Sequence, residues 1–307
     1  MATISAKDVM ELRKQTDCGM MECKKALTDA EGDFAKAVEL LREKGLATAS
    51  KKAGRVAAEG MVYATACSEC KVGVALEVNA ETDFVAKNDK FVDFVKKVAD
   101  VIIKENPADV EALMACKMGE GTVDDALKNL ILVIKENIKV RRFTRYEGVC
   151  AAYIHAGGTH AVLVNFDTTD EVAAKPEFAV YGKDIAMQIA AANPTYVCRE
   201  EVPADVLDKE KEILLAQMAN DPKTANKPEA VKEKMFLGKV CKFYKENCLV
   251  DQAFVKDDKQ SVAHHTAQVG KELGGEIKIV KFVRYEKGEG LEKRVDDFAS
   301  EVAGMVK

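Results

Sequence analysis

The residues best suited to chemistry begin with Cys67-Ser68-Glu69-Cys70, whose C-x-x-C spacing serves either a redox disulfide or half of a zinc site. A redox pair normally opens a helix, whose N-terminus lowers the thiol pKa; this pair falls at the tip of a predicted hairpin. A zinc site wants two more ligands, and no second C-x-x-C or matching histidine pair supplies them. The pair therefore reads as a turn that carries two thiols. His155 and His160 flank a second predicted hairpin tip, with Asp167 and Asp170 downstream. A metal hydrolase can be drawn on those four residues, but their spacing matches no standard ligand set. His264 and His265 are adjacent in a predicted helix and point apart. Gly157-Gly158, Gly274-Gly275 and Gly288-Glu289-Gly290 lack the Gly-Lys-Ser/Thr ending of a phosphate-binding loop. Cysteine-nucleophile, Ser-His-Asp and paired-carboxylate arrangements find no support. The expectation is a binding protein without catalytic residues, metal or cofactor.

Composition narrows what it binds. The chain has 307 residues, of which 48% are hydrophobic and 32% charged, enough for a sizeable core in two or more soluble domains. Its net charge of -5 leaves no basic surplus to neutralise phosphates, and with no Trp and 6% aromatics it offers few stacking platforms. Nucleic acid is thus not the expected primary ligand. Met1-Ala2-Thr3-Ile4-Ser5 leads into an amphipathic helix without a secretory or transit pattern, and no apolar run approaches membrane-spanning length. A cytoplasmic location is expected. The nine cysteines are odd in number and scattered, and read as small buried hydrophobes of a reducing compartment.

One stretch stands out as a contact candidate. An apolar strand over 72–79 empties into Thr82-Asp83-Phe84-Val85-Ala86-Lys87-Asn88, where a Thr-Asp pair can cap a helical turn and an aromatic ring follows among polar residues. That ring is either tucked back as a hydrophobic staple or offered to a partner.

The elements around it follow from periodicity. Residues 1–45 read as a three-helix module, with Val9, Met10 and Leu12, then Met20, Met21, Cys23, Ala26 and Leu27, then Phe34, Ala37, Val38, Leu40 and Leu41 as apolar faces. An Ala- and Lys-rich linker spans 46–58. Strands over 61–66 and 72–79 form a hairpin, a helix carries Phe91, Phe94, Val95, Val98 and Ile102, and further helices fall at 107–117 and 122–135. A strand over 138–146 closes this first core subdomain, 59–147. An internal repeat then appears: shifted by 87 residues, Thr82, Asp83, Val85, Ala86, Phe91, Asn106 and Pro107 match Thr169, Asp170, Val172, Ala173, Phe178, Asn193 and Pro194. Phe84 has Glu171 as its counterpart, so the position faces solvent in both copies. Residues 148–202 begin the second subdomain and 251–290 complete it, its closing strand echoing the first (Arg145-Tyr146-Glu147 and Arg284-Tyr285-Glu286). Residues 203–250 read as an inserted antiparallel helical hairpin, whose apolar positions suit an internal seam or a homodimer, and 291–307 as a C-terminal helix. The class is α+β, with two repeated antiparallel-sheet/helix subdomains.

The run from Leu12-Arg13-Lys14-Gln15-Thr16 to Gly19-Met20-Met21-Glu22-Cys23-Lys24-Lys25-Ala26-Leu27 resembles the opening signature of the elongation factor Ts family. The stretch Leu76-Glu77-Val78-Asn79 followed by Glu81 to Asn88 is similar to that family's second signature. Glu136-Asn137-Ile138 with Arg141-Arg142, Lys239 to Phe243, and Gln252-Ala253-Phe254-Val255 also fit, so the resemblance spans essentially the whole chain. Lys135 departs from the pattern where the family often has Gly, and Ala253 where it often has Pro. The resemblance implies a ubiquitin-associated-like N-terminal module and a guanine-nucleotide exchange factor for elongation factor Tu. It implies that Asp83 and Phe84 touch the GTPase domain of that partner, with the Thr82–Val85 turn dislodging its Mg²⁺. It further implies contacts by Arg13, Met20, Met21, Ile134 and His155 and by the C-terminal helix. A translation-associated scaffold that binds without accelerating nucleotide release is the alternative.

Overall fold

The structure, a computed structural model, describes residues 4–16, 18–220 and 228–292. Helices α1 (Ala6–Thr16), α2 (Met20–Asp29) and α3 (Phe34–Lys52) come first. They close on Val9, Leu12, Cys23, Ala26, Leu27, Ala37 and Leu41. The expected apolar faces need correction here: Met10, Met20 and Met21 point out to solvent, Met21 at 74% exposure. Helix α3 also continues to Lys52, so residues 46–52, expected as linker, are helical. Their Ala- and Lys-rich composition lacks an apolar face yet favours helix strongly, and a helix already begun at Phe34 propagates through it.

The first sheet unit contains β1 (Glu59–Cys67), β2 (Val72–Ala80), a 3₁₀ turn over Val85–Lys87, α4 (Asp89–Glu105) and a short α5 (Val110–Ala115). It continues through the small ribbon of β3 (Lys117–Met118) and β4 (Gly121–Thr122), then α6 (Val123–Ile134) and β5 (Lys139–Glu147). The second unit contains β6 (Val149–His155), β7 (His160–Asp167), α7 (Asp170–Ala173) and α8 (Pro176–Ala192). After the helical pair α9 (Ala204–Asn220) and α10 (Glu229–Asn247) come β8 (Ala253–Phe254), β9 (Asp257–Ser261), α11 (Val262–Glu272) and β10 (Lys278–Glu286). On the α9–α10 pair, Ile213, Leu215, Val231 and Leu237 are exposed. The C-terminal helix expected over 291–307 lies almost wholly outside the described residues. Among those described, no helix is long and apolar enough to cross a membrane.

The fold is α+β, and the repeat is structural. Each sheet has three antiparallel strands with the second hairpin strand in the centre, in the orders β1-β2-β5 and β6-β7-β10. Each closing strand carries one extra residue opposite the central strand, Arg141 in β5 and Val280 in β10. Helices α4 and α8 have 17 residues each and end on an asparagine in left-handed conformation, Asn106 (φ 48°) and Asn193 (φ 45°). Asparagine tolerates that conformation and the following Pro107 or Pro194 cannot extend the helix, which explains why the Asn-Pro pair recurs.

Strand β2 is buried along its whole length because both its faces are covered. Val74, Leu76, Val78 and Ala80 pack with Phe91, Phe94, Val95, Val98 and Ile102 of α4. On the other face Ala75 joins Val62, Ala64, Ala161, Leu163 and Tyr285, a seam between the two sheets. Small residues allow the sheets to approach: a Cβ on Gly73 would stand 2.8 Å from that of Cys150. A buried side chain the size of Phe91 contributes about 1.5–3 kcal/mol, so α4 is fixed firmly on the sheet. What it fixes is the turn at its own head.

Candidate functional site

Between β2 and α4 the chain makes a compact turn held by crossed carboxylates. Glu81 accepts from the Asn137 amide N–H (2.6 Å), and Glu136 accepts from the Thr82 amide (2.9 Å) and hydroxyl (2.7 Å). The Arg55 guanidinium lies 3.4 Å from Glu81, and Asn137 donates to the Arg55 carbonyl (2.7 Å). The end of β2 is thereby riveted to the loop between α6 and β5. This gives Glu136-Asn137 a physical role that sequence spacing did not reveal; the visible signal was one carboxylate beside an Asn in a loop, with no partner in sequence.

The expected Thr-Asp cap is not what the turn does. Thr82 spends its hydroxyl on Glu136, and α4 is capped by Asn88, whose side chain accepts from the Lys90 amide (3.0 Å). In the second copy Thr169 caps α7, while Asp170 lies inside the helix and forms an ion pair with Lys71 at 2.7 Å. Tertiary partners thus put the same Thr-Asp pair to different uses in the two copies.

Phe84 heads the 3₁₀ turn at 79% exposure, and the next residue, Val85, is buried. Val85 packs into the core of the first unit and so holds the turn while the preceding ring projects. Asp83 beside it is exposed and makes no hydrogen bond or ion pair among the described residues. The staple reading of Phe84 fails on this geometry. The ring stands in water on a turn anchored by Val85, with an exposed carboxylate next to it.

Other expected site residues group less tightly. Arg13, Met20 and Met21 are exposed on the N-terminal helices. A groove of about 350 Å³ runs between Thr16 at the end of α1, Lys90, Asp93 and Lys97 on α4, and Asn129 and Val133 on α6. The end of α1 therefore lies beside α4 and α6. Ile134 is half-buried against the core of the first unit. His155 is exposed at the β6–β7 turn and pairs with the Tyr153 hydroxyl (3.0 Å).

Lys135, the residue after Ile134, caps α6 in left-handed conformation (φ 65°). Glycine adopts that conformation without Cβ strain, so a side chain at this position carries a cost. Here the side chain reaches Glu22 on α2 (3.7 Å), and the Lys135 carbonyl accepts from Lys52. Lys135→Gly is expected to raise stability by about 0.5–1 kcal/mol, since relief of strain exceeds the loss of an exposed ion pair. A urea midpoint that moves down instead would show that the Glu22 contact matters more.

The four residues of the metal-hydrolase reading do not converge. His160 and Asp167 sit at opposite ends of β7, roughly 23 Å apart for a seven-residue step along a strand. His160 instead faces Glu286 (3.3 Å). Among the described residues no group of three or more His, Cys, Asp or Glu is placed to hold a metal ion. The cysteine reading also changes. Cys18, Cys23 and Cys248 are buried, but Cys241 is exposed, and Cys67 and Cys70 are joined as a disulfide rather than standing as two thiols.

A second cluster was missed altogether. Glu77 is a carboxylate with no exposure, the one charge in a strand that is apolar apart from it and Asn79. It accepts from Arg141 (3.0 and 3.1 Å), Arg142 (2.6 Å), Asn79 (3.0 Å) and the Gly288 amide (2.8 Å). Adjacent strand residues normally face opposite ways; the extra residue in β5 lets Arg141 and Arg142 serve one carboxylate. Arg141 also donates to the Glu289 carbonyl (2.7 Å), and Arg142 pairs with the Glu289 carboxylate (3.1 Å) and covers the Tyr285 ring at 4.2 Å. Gly288 (φ 70°) must be glycine, since a Cβ would collide with the Ala58 carbonyl. The cluster ties β2 and β5 to the segment after β10 and so fixes one unit on the other. Burial alone would raise the Glu77 pKa, but the hydrogen bonds from Asn79, Gly288 and Arg142 outweigh it and hold the carboxyl below the usual range. The one sequence signal was a lone charge in an apolar strand.

Comparison with known proteins bears on this geometry. Residues 81–289 match the family model described as Elongation factor TS. Elongation factor Ts of Symbiobacterium thermophilum is 50% identical over 307 residues, covering 98% of this chain and 98% of that protein. Elongation factor Ts of Clostridium perfringens is 48% identical over 306 residues, covering 98% and 99%. That of Trichlorobacter lovleyi is 47% identical over 308 residues, covering 98% and 97%.

Proposed function

The chain belongs to the elongation factor Ts family, and from that premise we propose that it binds elongation factor Tu carrying GDP and promotes release of the nucleotide. In this reading the Thr82–Val85 turn is the working part. The observation that carries it is Phe84, 79% exposed on a turn pinned by Val85 and by the crossed Glu81–Asn137 and Thr82–Glu136 hydrogen bonds.

Mg²⁺ bridges phosphate oxygens of a bound nucleotide to protein oxygens and so locks it in place. An aromatic ring wedged between elements of the GTPase domain shifts the part that holds Mg²⁺ without touching guanine. The rigid turn matters because a ring on a loose loop would fold back and spend its binding free energy on ordering. Asp83 supplies a charge beside the ring. Arg13, Met20 and Met21 extend the contact from the N-terminal helices, with Ile134 and His155 at its margins. Burying the ring supplies about 1.5–3 kcal/mol, whereas a 10⁴-fold acceleration needs about 5.5 kcal/mol, so the wider surface has to contribute the remainder. Linkage requires that GDP weaken the factor as much as the factor weakens GDP, so the nucleotide-free complex is the tightest state. The factor needs no covalent chemistry and no cofactor of its own.

The test is release of a fluorescent GDP analogue from elongation factor Tu, followed by stopped flow with and without this protein. Acceleration that grows with factor concentration and falls when GDP is added in excess is the expected result. Stable binding with unchanged release would instead identify a scaffold.

A further inference from the structure

We propose that Cys67 and Cys70 form a reversible thiol–disulfide exchange site whose reactant is a low-molecular-weight thiol of the glutathione class. The two residues occupy the turn between β1 and β2, with Cα atoms 5.3 Å apart, well within the span a disulfide bridges, and their sulfurs are joined. Ser68, Glu69 and Cys70 are exposed, and Cys67 is half-buried. The Cys70 backbone N–H donates to Cys67 Sγ at 3.1 Å. That amide points at Cys67 Sγ alone and so distinguishes the two sulfurs of the pair.

The division of labour follows from exposure and this hydrogen bond. Cys70 is the exposed sulfur a reagent reaches, and Cys67, half-buried behind it, is the one that closes or leaves the internal bond. In the oxidising direction, the Cys70 thiolate attacks one sulfur of oxidised glutathione, the glutathione S–S bond breaks, and one glutathione thiolate leaves. The Cys67 thiolate then attacks Cys70 Sγ, forming the internal S–S bond and expelling the second glutathione thiolate. The two protons lost by the cysteines go to the two departing thiolates; the cysteines lose two electrons and oxidised glutathione gains them. Reduction runs the same steps backward, with Cys67 leaving first.

Two surroundings support exchange with a small reactant. A cavity of about 520 Å³ opens beside Cys67, with Lys183 on its wall to meet a carboxylate and Lys71 held there by Asp170. The turn is also held when the bond opens: Gly148 N–H donates to the Lys71 carbonyl (2.8 Å) and Lys71 pairs with Asp170 (2.7 Å). Thiols kept in bridging register face each other at an effective concentration of millimolar or above, so closure competes well with a lingering mixed disulfide.

The experiment uses the full-length protein in glutathione buffers graded from reduced to oxidised, quenched with acid and alkylated with iodoacetamide. Trypsin cuts after Arg55 and Lys71, so both thiols lie on one peptide that carries no other cysteine. The expected result is a titration of that peptide from doubly alkylated to an unalkylated internal disulfide, lighter than the dithiol by two hydrogens, with little glutathione adduct. Cys67→Ser is expected to replace the internal disulfide by a glutathione adduct on Cys70, with circular dichroism confirming an unchanged fold. A peptide doubly alkylated at every ratio overturns the proposal. So does purified protein that holds one zinc per chain through these thiols. Neither readout depends on nucleotide exchange.

Discussion

Phe84→Ala is expected to slow factor-stimulated GDP release from elongation factor Tu by about 10- to 150-fold, the rate equivalent of the 1.5–3 kcal/mol that burial of the ring supplies. The free protein should melt where the parent does, because a side chain at 79% exposure contributes almost nothing to its own fold. This pairing of outcomes separates contact from stability. Intact Val85 and the crossed carboxylate bonds leave the turn in place in the variant, so the loss belongs to the ring. Unchanged release of the fluorescent analogue by Phe84→Ala would end the wedge reading. A fall in melting temperature of the same order as the lost activity would assign Phe84 to the core instead. The Glu171 counterpart adds a gentler comparison: Phe84→Glu, which makes the first copy like the second, is tolerated by the fold and should be no better than alanine in exchange.

Glu77→Gln is expected to destabilise the protein by about 3 kcal/mol, at the lower end for a broken buried ion pair. The lower end applies because Arg141 and Arg142 keep 23% and 31% exposure and recover part of their hydration. The effect depends on pH in a defined sense. The folded pKa of Glu77 lies below its unfolded value, so the stabilisation is complete above the ordinary carboxylate range and disappears as pH falls through the lowered pKa. The parent and Glu77→Gln should therefore differ most near about pH 7 and converge as the solution is taken toward about pH 3. Urea unfolding followed by circular dichroism across that range measures the gap. A gap that stays constant on acidification means that packing, not the charge, is what the substitution disturbs. The same cluster gives the factor its rigidity between units: one carboxylate reaches β2, β5 and the backbone at Gly288.

Much of this was legible in the sequence, for physical reasons that differ by feature. The 17-residue helices α4 and α8 are visible because apolar residues repeat at helical spacing and an Asn-Pro pair stops each one. The 87-residue repeat exposes the duplicated sheets, and the mismatch of Phe84 with Glu171 inside it singles out a position that tolerates a charge in one copy. The end of α3 was harder to read, because an Ala- and Lys-rich run looks like linker when its periodicity is weak. Helical propagation carries it to Lys52 all the same. Met10, Met20 and Met21 illustrate the opposite error: helical spacing placed them on the apolar faces of the module, and its core filled without them.

The sequence by itself determined the class, the duplication and the exposed candidate, because those rest on local periodicity and on comparison of one copy with the other. Tertiary structure alone decided what holds that candidate in place. Glu136 lies 54 residues from Thr82, and Gly288 lies 211 residues from Glu77. Bonds across such separations leave no periodic trace, since nothing in the local chain distinguishes a carboxylate that will find a distant amide from one that will face water. The same holds for Cys67 and Cys70, where spacing permitted a bond and only the turn geometry, with its amide aimed at one sulfur, brought the two together.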